Sequence, residues 1–263
     1  MKPRSSIQIT CAVIFALVLR EIQALAGRRR LGAFWALAEP LVHLVMFTVV
    51  MGVLRGRPDI AGHPYAMFLL VGMAPYLMYR RIAMMMAEGV GSSRALFAYK
   101  QITPMDTFLA RILVEVCITS VVYVLIVLGF IWFGFDMTVP HPLEWVGVLL
   151  LGLLFTFSLG LILAALVNAL PDSRTLIRMA FMPIYLISGI IVPPSHLPPE
   201  FLPYLMWNPF LHLAELTHEA TLSNYESISG ISAGYVARVT LIMLFFGLGL
   251  YRVFRKKYIA IVS

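Results

Sequence analysis

The chain has 263 residues, of which 60% are hydrophobic and only 13% charged, against roughly 25% charged and 45 to 50% apolar in an ordinary soluble domain. That balance excludes a fold made for water. The net charge of +7 does not point to nucleic acid, because the basic residues flank apolar stretches instead of clustering with aromatics on one face.

At the N-terminal end, Lys2 and Arg4 precede an apolar stretch, and Ala24-Leu25-Ala26 imitates a signal-peptide cleavage site. Arg20 and Glu21 interrupt the stretch before that site, and Arg28-Arg29-Arg30 after it would resist translocation, so a removable leader is rejected. Ile7, Cys11, Ile14, Val18, Ile22 and Leu25 recur at steps of three or four, which puts one apolar stripe on a helix. Residues 1–33 are therefore expected to hold an amphipathic helix lying on the inner leaflet.

A membrane-crossing helix needs about 20 mostly apolar residues. Such stretches occur near 34–54, 65–87, 107–133, 145–168, 176–192 and 234–254, which predicts an all-α integral membrane protein of six spans in one domain. Phe34 and Trp35 open the first span, and Glu39 lies within it beside Pro40. On the second, Phe68, Gly72, Tyr76 and Tyr79 share a face. Two readings of that face stand: packing and interfacial anchoring, or apolar contact with sugar rings. Arg80 and Arg81 fall near the inner end of the same span, where they either snorkel to the surface or face a conduit.

Residues 91–106 form a polar loop in which Ser92 can cap a short helix that Pro104 stops, a shape suited to docking on a partner. In the third span Glu115 follows Arg111 by one turn, so an intrahelical ion pair is expected. Glu39, Arg111 and Glu115 are ionisable at membrane depth, where charge is costly and marks candidate functional residues. Residues 193–234 are polar enough to leave the bilayer, but Phe201, Leu205, Trp207 and Phe210 keep them adhesive. Short helices resting on or dipping into the outer interface are expected there.

With six spans, every Lys and Arg except Arg55, Arg57 and Arg238 falls on one side; the positive-inside rule makes that side cytoplasmic, with both termini on it. None of the four lysines follows a glycine, so the phosphate-cradling loop is missing and the chain is not expected to hydrolyse ATP. The histidines lack metal spacing and no Gly-x-Ser-x-Gly elbow occurs, so no metal and no catalytic residues are expected. Cys11 and Cys117 sit in apolar runs, and the fifteen methionines read as packing filler.

Arg20-Glu21 with Arg30-Leu31-Gly32-Ala33-Phe34-Trp35-Ala36-Leu37-Ala38-Glu39-Pro40-Leu41 resembles the opening of ABC-2 type permeases, in particular their capsular-polysaccharide export branch. The resemblance continues at Ala95 to Lys100, at Thr103-Pro104-Met105-Asp106, at Ser188-Gly189, at Leu197-Pro198-Pro199 and from Trp207 to Glu215. At His218 and Glu219 the chain departs from an arginine usual in relatives, and no role is carried over to that position. The resemblance implies a homodimer with two copies of a separate ATP-binding subunit, which would hold the ATP and Mg, exporting a lipid-anchored acidic glycan across the bacterial inner membrane. It further implies docking of the ATPase on Ser92, Arg94, Leu96, Phe97 and Tyr99, and a path near Trp35, Phe68, Tyr76, Tyr79, Arg80 and Arg81. Periplasmic polysaccharide co-polymerase or export proteins would be further partners. The alternatives are an ABC-2 exporter of O-antigen, lipid or drug, a membrane-bound transferase, which would need an acid and histidine constellation, and a proton-coupled carrier, which would need paired intramembrane carboxylates.

Overall fold

The computed structural model describes residues 6–27, 38, 41–43, 45–47, 49–50, 59–99 and 101–260. Among these the chain is helical, with one isolated bridge between Ile60 and His63. Most of the first expected span lies outside the described residues, and with it Trp35 and Glu39.

The amphipathic N-terminal segment is helix α1, Ser6–Gly27. Leu17 is its buried residue and Val13, Ile14, Val18 and Glu21 are half-buried beside it, so the packed face overlaps the middle of the expected stripe. Cys11 and Ile22, toward the stripe's two ends, are exposed. Apolar periodicity marks the face that avoids water; on a membrane helix, lipid and protein both satisfy that requirement.

Helix α2, Tyr65–Ser92, is 28 residues long and contains Pro75. Almost all of it is buried, including Phe68, Leu69, Met73, Ile82 and Met86, so it forms the centre of the molecule. Ser93 turns the chain into a short 3-10 helix, Arg94–Ala98. Helix α3, Pro104–Trp132, then opens on a capping box. The Thr103 N–H donates to Asp106 Oδ2 at 2.8 Å, and the Asp106 N–H to Thr103 Oγ1 at 3.4 Å. Pro104 therefore starts a helix where the sequence reading had it stop one. Its ring presets φ for the first helical position, where no N–H partner is needed.

Helix α4, Pro142–Ala169, packs on α2 through glycines. A Cβ on Gly152 would stand 2.3 Å from the Tyr79 ring and one on Gly160 2.4 Å from Met86 Sδ, so the missing side chains admit the larger neighbours. Small residues that let helices approach closely are the usual solution where lipid competes for apolar surface. Helix α8, Ala233–Ala260, closes on the other side of α4, with Gly247 against Leu161 and the Ser158 carbonyl.

Among the described residues three helices, α3, α4 and the Ala233–Arg255 part of α8, are long and apolar enough to cross a membrane. The most apolar stretch of α4 is 44% buried and those of α3 and α8 are 17% buried, so α4 is an inner helix and the other two present apolar rims. The fifth expected stretch folds as α5, Ser173–Leu186, only 14 residues long. It rises about 21 Å, short of a ~30 Å hydrocarbon core. It ends at a turn where Gly189 adopts φ +70, a conformation other residues rarely accept. Between α5 and α8 lie two 3-10 turns, Pro194–His196 and Pro199–Phe201, then α6, Leu202–Leu205, and α7, Pro209–Thr221. Each has proline in its first two positions, which explains how so proline-rich a segment remains helical.

Candidate functional site

Four elements meet around Arg111 of α3. Its Nε donates to Glu21 of α1 at 2.8 Å, Nη1 to the Met85 carbonyl of α2 at 3.3 Å, and Nη2 to the Ser93 hydroxyl at 3.1 Å. Ser93 is the buried residue between the end of α2 and the Arg94–Ala98 turn. One guanidinium thus ties the N-terminal helix, the buried α2 and the start of the 91–106 loop to α3. The planar fork of arginine donors suits such a junction better than lysine's point charge.

Glu115, expected to pair with Arg111, is given an inter-helix partner: its Oε1 lies 3.1 Å from Arg81 Nε of α2, with Glu115 2% and Arg81 33% exposed. Arg111 itself reaches Glu21 and Ser93. Sequence spacing shows which residues can meet along a helix, but carries no signal for partners on other helices.

The loop residues divide by burial. Phe97 is 4% exposed and packs into the core, Leu96 is half-buried, and Tyr99 is 66% exposed. Of the five expected docking residues, Phe97 anchors the loop and Tyr99 is presented outward; the side chains of Ser92 and Arg94 lie outside what is described. Between the loop and α1 runs a groove of about 600 Å³, lined by Val13, Ala16, Leu17, Leu96, Tyr99 and Ile102 among others, with Arg20 at its edge.

Of the aromatic residues expected along a substrate path, Phe68, Tyr76 and Tyr79 are core residues within one chain. Phe68 is fully buried, Tyr76 is 3% exposed and Tyr79 2%. The Tyr76 hydroxyl donates to the Phe181 carbonyl at 2.7 Å, and that of Tyr79 reaches the Leu149 carbonyl at 3.4 Å. These hydroxyls bind α2 to α5 and α4. Arg80 and Arg81 keep partly exposed side chains. Further along, Glu88 of α2 pairs with Arg178 of α5 at 3.0 Å.

At the other end of α2, the residues that carry the family resemblance connect the segment after α5. Asn208 caps α7 by accepting from the Phe210 N–H and donates through Nδ2 to Ser188 Oγ at 2.9 Å. His212 Nε2 lies 2.9 Å from the Met206 carbonyl, and Nδ1 accepts from the Ser232 N–H. A buried polar group that sequence reasoning passed over sits beside them: Glu215, His218 and Tyr225. Its one sequence signal is the spacing of Glu215 and His218 on a single face of a helix.

Comparison with known proteins gives a match to the ABC-2 type transporter family over residues 12–221. The chain is 34% identical over 252 residues to the polysialic acid transport protein KpsM of Escherichia coli, covering 95% of this chain and 96% of that one. It is 25% identical to the capsule polysaccharide export inner-membrane protein BexB of Haemophilus influenzae over 258 residues, 96% of this chain and 95% of that one. To CtrC of Neisseria meningitidis serogroup B, of the same description, it is 25% identical over 255 residues, 95% and 94% of the two chains.

Proposed function

This chain belongs to the ABC-2 type transporter family, and we propose that it is the membrane-spanning subunit of an ATP-driven exporter that carries capsular polysaccharide across the bacterial inner membrane. The observation that carries this reading is the 34% identity to a polysialic acid transport protein along 95% of the chain. The missing phosphate loop agrees with a division of labour in which a separate subunit binds ATP and Mg and hydrolyses the nucleotide.

In this proposal six spans are completed by the 34–54 stretch, α2 and α5 in addition to the three long apolar helices, and both termini are cytoplasmic. Two copies of the chain pair, and each receives one ATPase at the 91–106 loop. The exposed Tyr99 and the adjoining groove along α1 support that docking, and the Arg111 junction supports transmission from loop to helices. The conduit forms where the protomers meet, with Arg80 and Arg81 guiding acidic sugars, since a guanidinium holds carboxylate or phosphate bidentately. The apolar outer face of α5, with Leu176, Met179, Met182 and Leu186 exposed, supports a covering partner or lipid for that helix. The loss of about a third of the membrane crossing in α5 is compensated by the 193–234 segment dipping into the outer interface.

The test is deletion of the chain in its native host. Capsule made but retained in the cytoplasm, with an ATPase co-purifying with the tagged chain, is the expected result. Normal surface capsule in the deletion strain would overturn the reading.

A further inference from the structure

The pair passed over at the sequence level is buried as deeply as any in the molecule. Glu215 and His218 are both 0% exposed, one turn apart on α7. His218 is fixed on three sides. Its ring stacks on Phe68 with centroids 4.0 Å apart, Gly72 lies so close that a Cβ there would stand 2.7 Å from Nε2, and Nε2 lies 3.0 Å from the Phe68 carbonyl. A carbonyl only accepts, so Nε2 carries the hydrogen, and in the neutral ring Nδ1 is a bare acceptor.

Glu215 presents the matching deficit. Its Oε1 accepts from the Tyr225 hydroxyl at 2.8 Å, and the Ile228 N–H also donates to the carboxylate. Among the described residues its Oε2 has no hydrogen-bond partner, and neither has His218 Nδ1. The carboxylate approaches Nδ1 to 3.9 Å at Oε1, and its terminal torsion is soft. Two buried acceptors this close without a donor are each destabilising. One hydrogen between them satisfies both.

We infer that Glu215 and His218 form a binding site for a single proton, held between the Glu215 carboxylate and His218 Nδ1 and locking α7 onto α2. The titratable and charged groups on the elements around it have partners of their own. From its own helix come Glu219, exposed and bonded to Ser227, and His212, whose two nitrogens are engaged. The following loop contributes Tyr225, and α2 contributes Tyr65, whose hydroxyl donates to the Ile191 carbonyl. The chain entering α4 brings His141, which meets α7 through its backbone N–H. α8 carries Arg238, exposed and bonded to the Gly234 carbonyl.

Electrostatics agree with the geometry. Burial lifts Glu215 from 4.5 to about 7, against the pull of its Tyr225 and Ile228 hydrogen bonds, while burial lowers His218 from 6.5 to about 4. At pH 5.5 the folded pair is a neutral acid beside a neutral imidazole, whereas the unfolded chain carries a carboxylate and an imidazolium. Each state holds one proton, so the pair adds almost no pH dependence to stability between about pH 4.5 and 6.5. Removing either partner exposes the slope of the other. With His218→Gln, the raised Glu215 pKa alone remains, and stability falls as pH rises from about 4.5 to 7. With Glu215→Gln, the lowered His218 pKa remains, and stability rises over about pH 4 to 6.5. Each slope approaches a tenfold change in the unfolding equilibrium per pH unit.

The site does not depend on the transport reading, and its test needs no transport assay. Thermal unfolding of the detergent-solubilised full chain is followed from about pH 4.5 to 7.5 for wild type and both variants. Opposite slopes in the two variants, relative to a flat wild type, are the expected result; parallel profiles overturn the proposal. Should either variant fail to fold, infrared spectra of the ¹³C-glutamate-labelled wild type decide. A protonated glutamic acid carbonyl band present at about pH 6, lost by about pH 8.5 and replaced in Glu215→Asp, is expected. Absence of that band at pH 6 overturns it.

Discussion

Arg80 and Arg81 are neighbours in sequence that the structure treats differently, and this changes how their role is tested. Arg81 holds Glu115, a carboxylate only 2% exposed, across the α2–α3 contact. Replacing one partner of such a pair costs 3 to 5 kcal/mol when both are fully buried; with Arg81 one-third exposed, we expect about 2 kcal/mol for Arg81→Gln. Glu115→Gln in the same background should recover part of it. Arg80→Gln should leave thermal stability unchanged and lower capsule export. A matched loss of stability in the two single variants would remove the distinction, and wild-type export by Arg80→Gln would end the guiding role. The ion pair of Glu115 was not legible in the sequence because spacing along α3 points only to Arg111; the partner on α2, Arg81, is brought to it by the packing of the two helices.

At the scale of helices, the sequence identifies which segments are apolar and the glycines determine how closely they meet. Gly152 of α4 stands where any Cβ would overlap the Tyr79 ring, while nothing lies within 4 Å of a Cβ on Gly147 of the same helix. Gly152→Ala should therefore cost about 1 to 3 kcal/mol through overpacking against α2. Gly147→Ala should be neutral or slightly stabilising because alanine is the better helix former. Equal melting temperatures for the two would contradict the close α2–α4 contact.

The 91–106 loop divides in the same way. Phe97 is core and Tyr99 is surface, so Phe97→Ala should lower stability by about 3 kcal/mol. Tyr99→Ala should preserve the melting temperature but reduce the amount of ATPase that co-purifies. If Tyr99→Ala retained the ATPase in full, docking would have to be sought elsewhere along α1. The loop was legible as a polar segment between two spans; which aromatic side chain faces outward was not, since burial depends on what α8 brings to the loop from far along the chain.

For the whole molecule, the distribution of basic residues predicts orientation. A reporter fused after Ser263 should read as cytoplasmic, and one inserted near Asn224, an exposed loop residue at φ +61, as periplasmic. Both on one side would refute the six-span arrangement. The sequence by itself determined that this is a helical membrane protein, that α3, α4 and α8 are long enough to cross a bilayer, and to which family it belongs. The first two follow from composition and run length, which a solvent of lipid reads one segment at a time; the family follows from the motifs and the match along the chain. The tertiary structure alone decided that Phe68, Tyr76 and Tyr79 are packing residues, that Arg111 joins four elements, and that Glu215 faces His218 beneath Phe68. Such assignments depend on which side chains converge from distant segments, and an apolar face has the same periodicity whether it meets lipid, a neighbouring helix or a substrate.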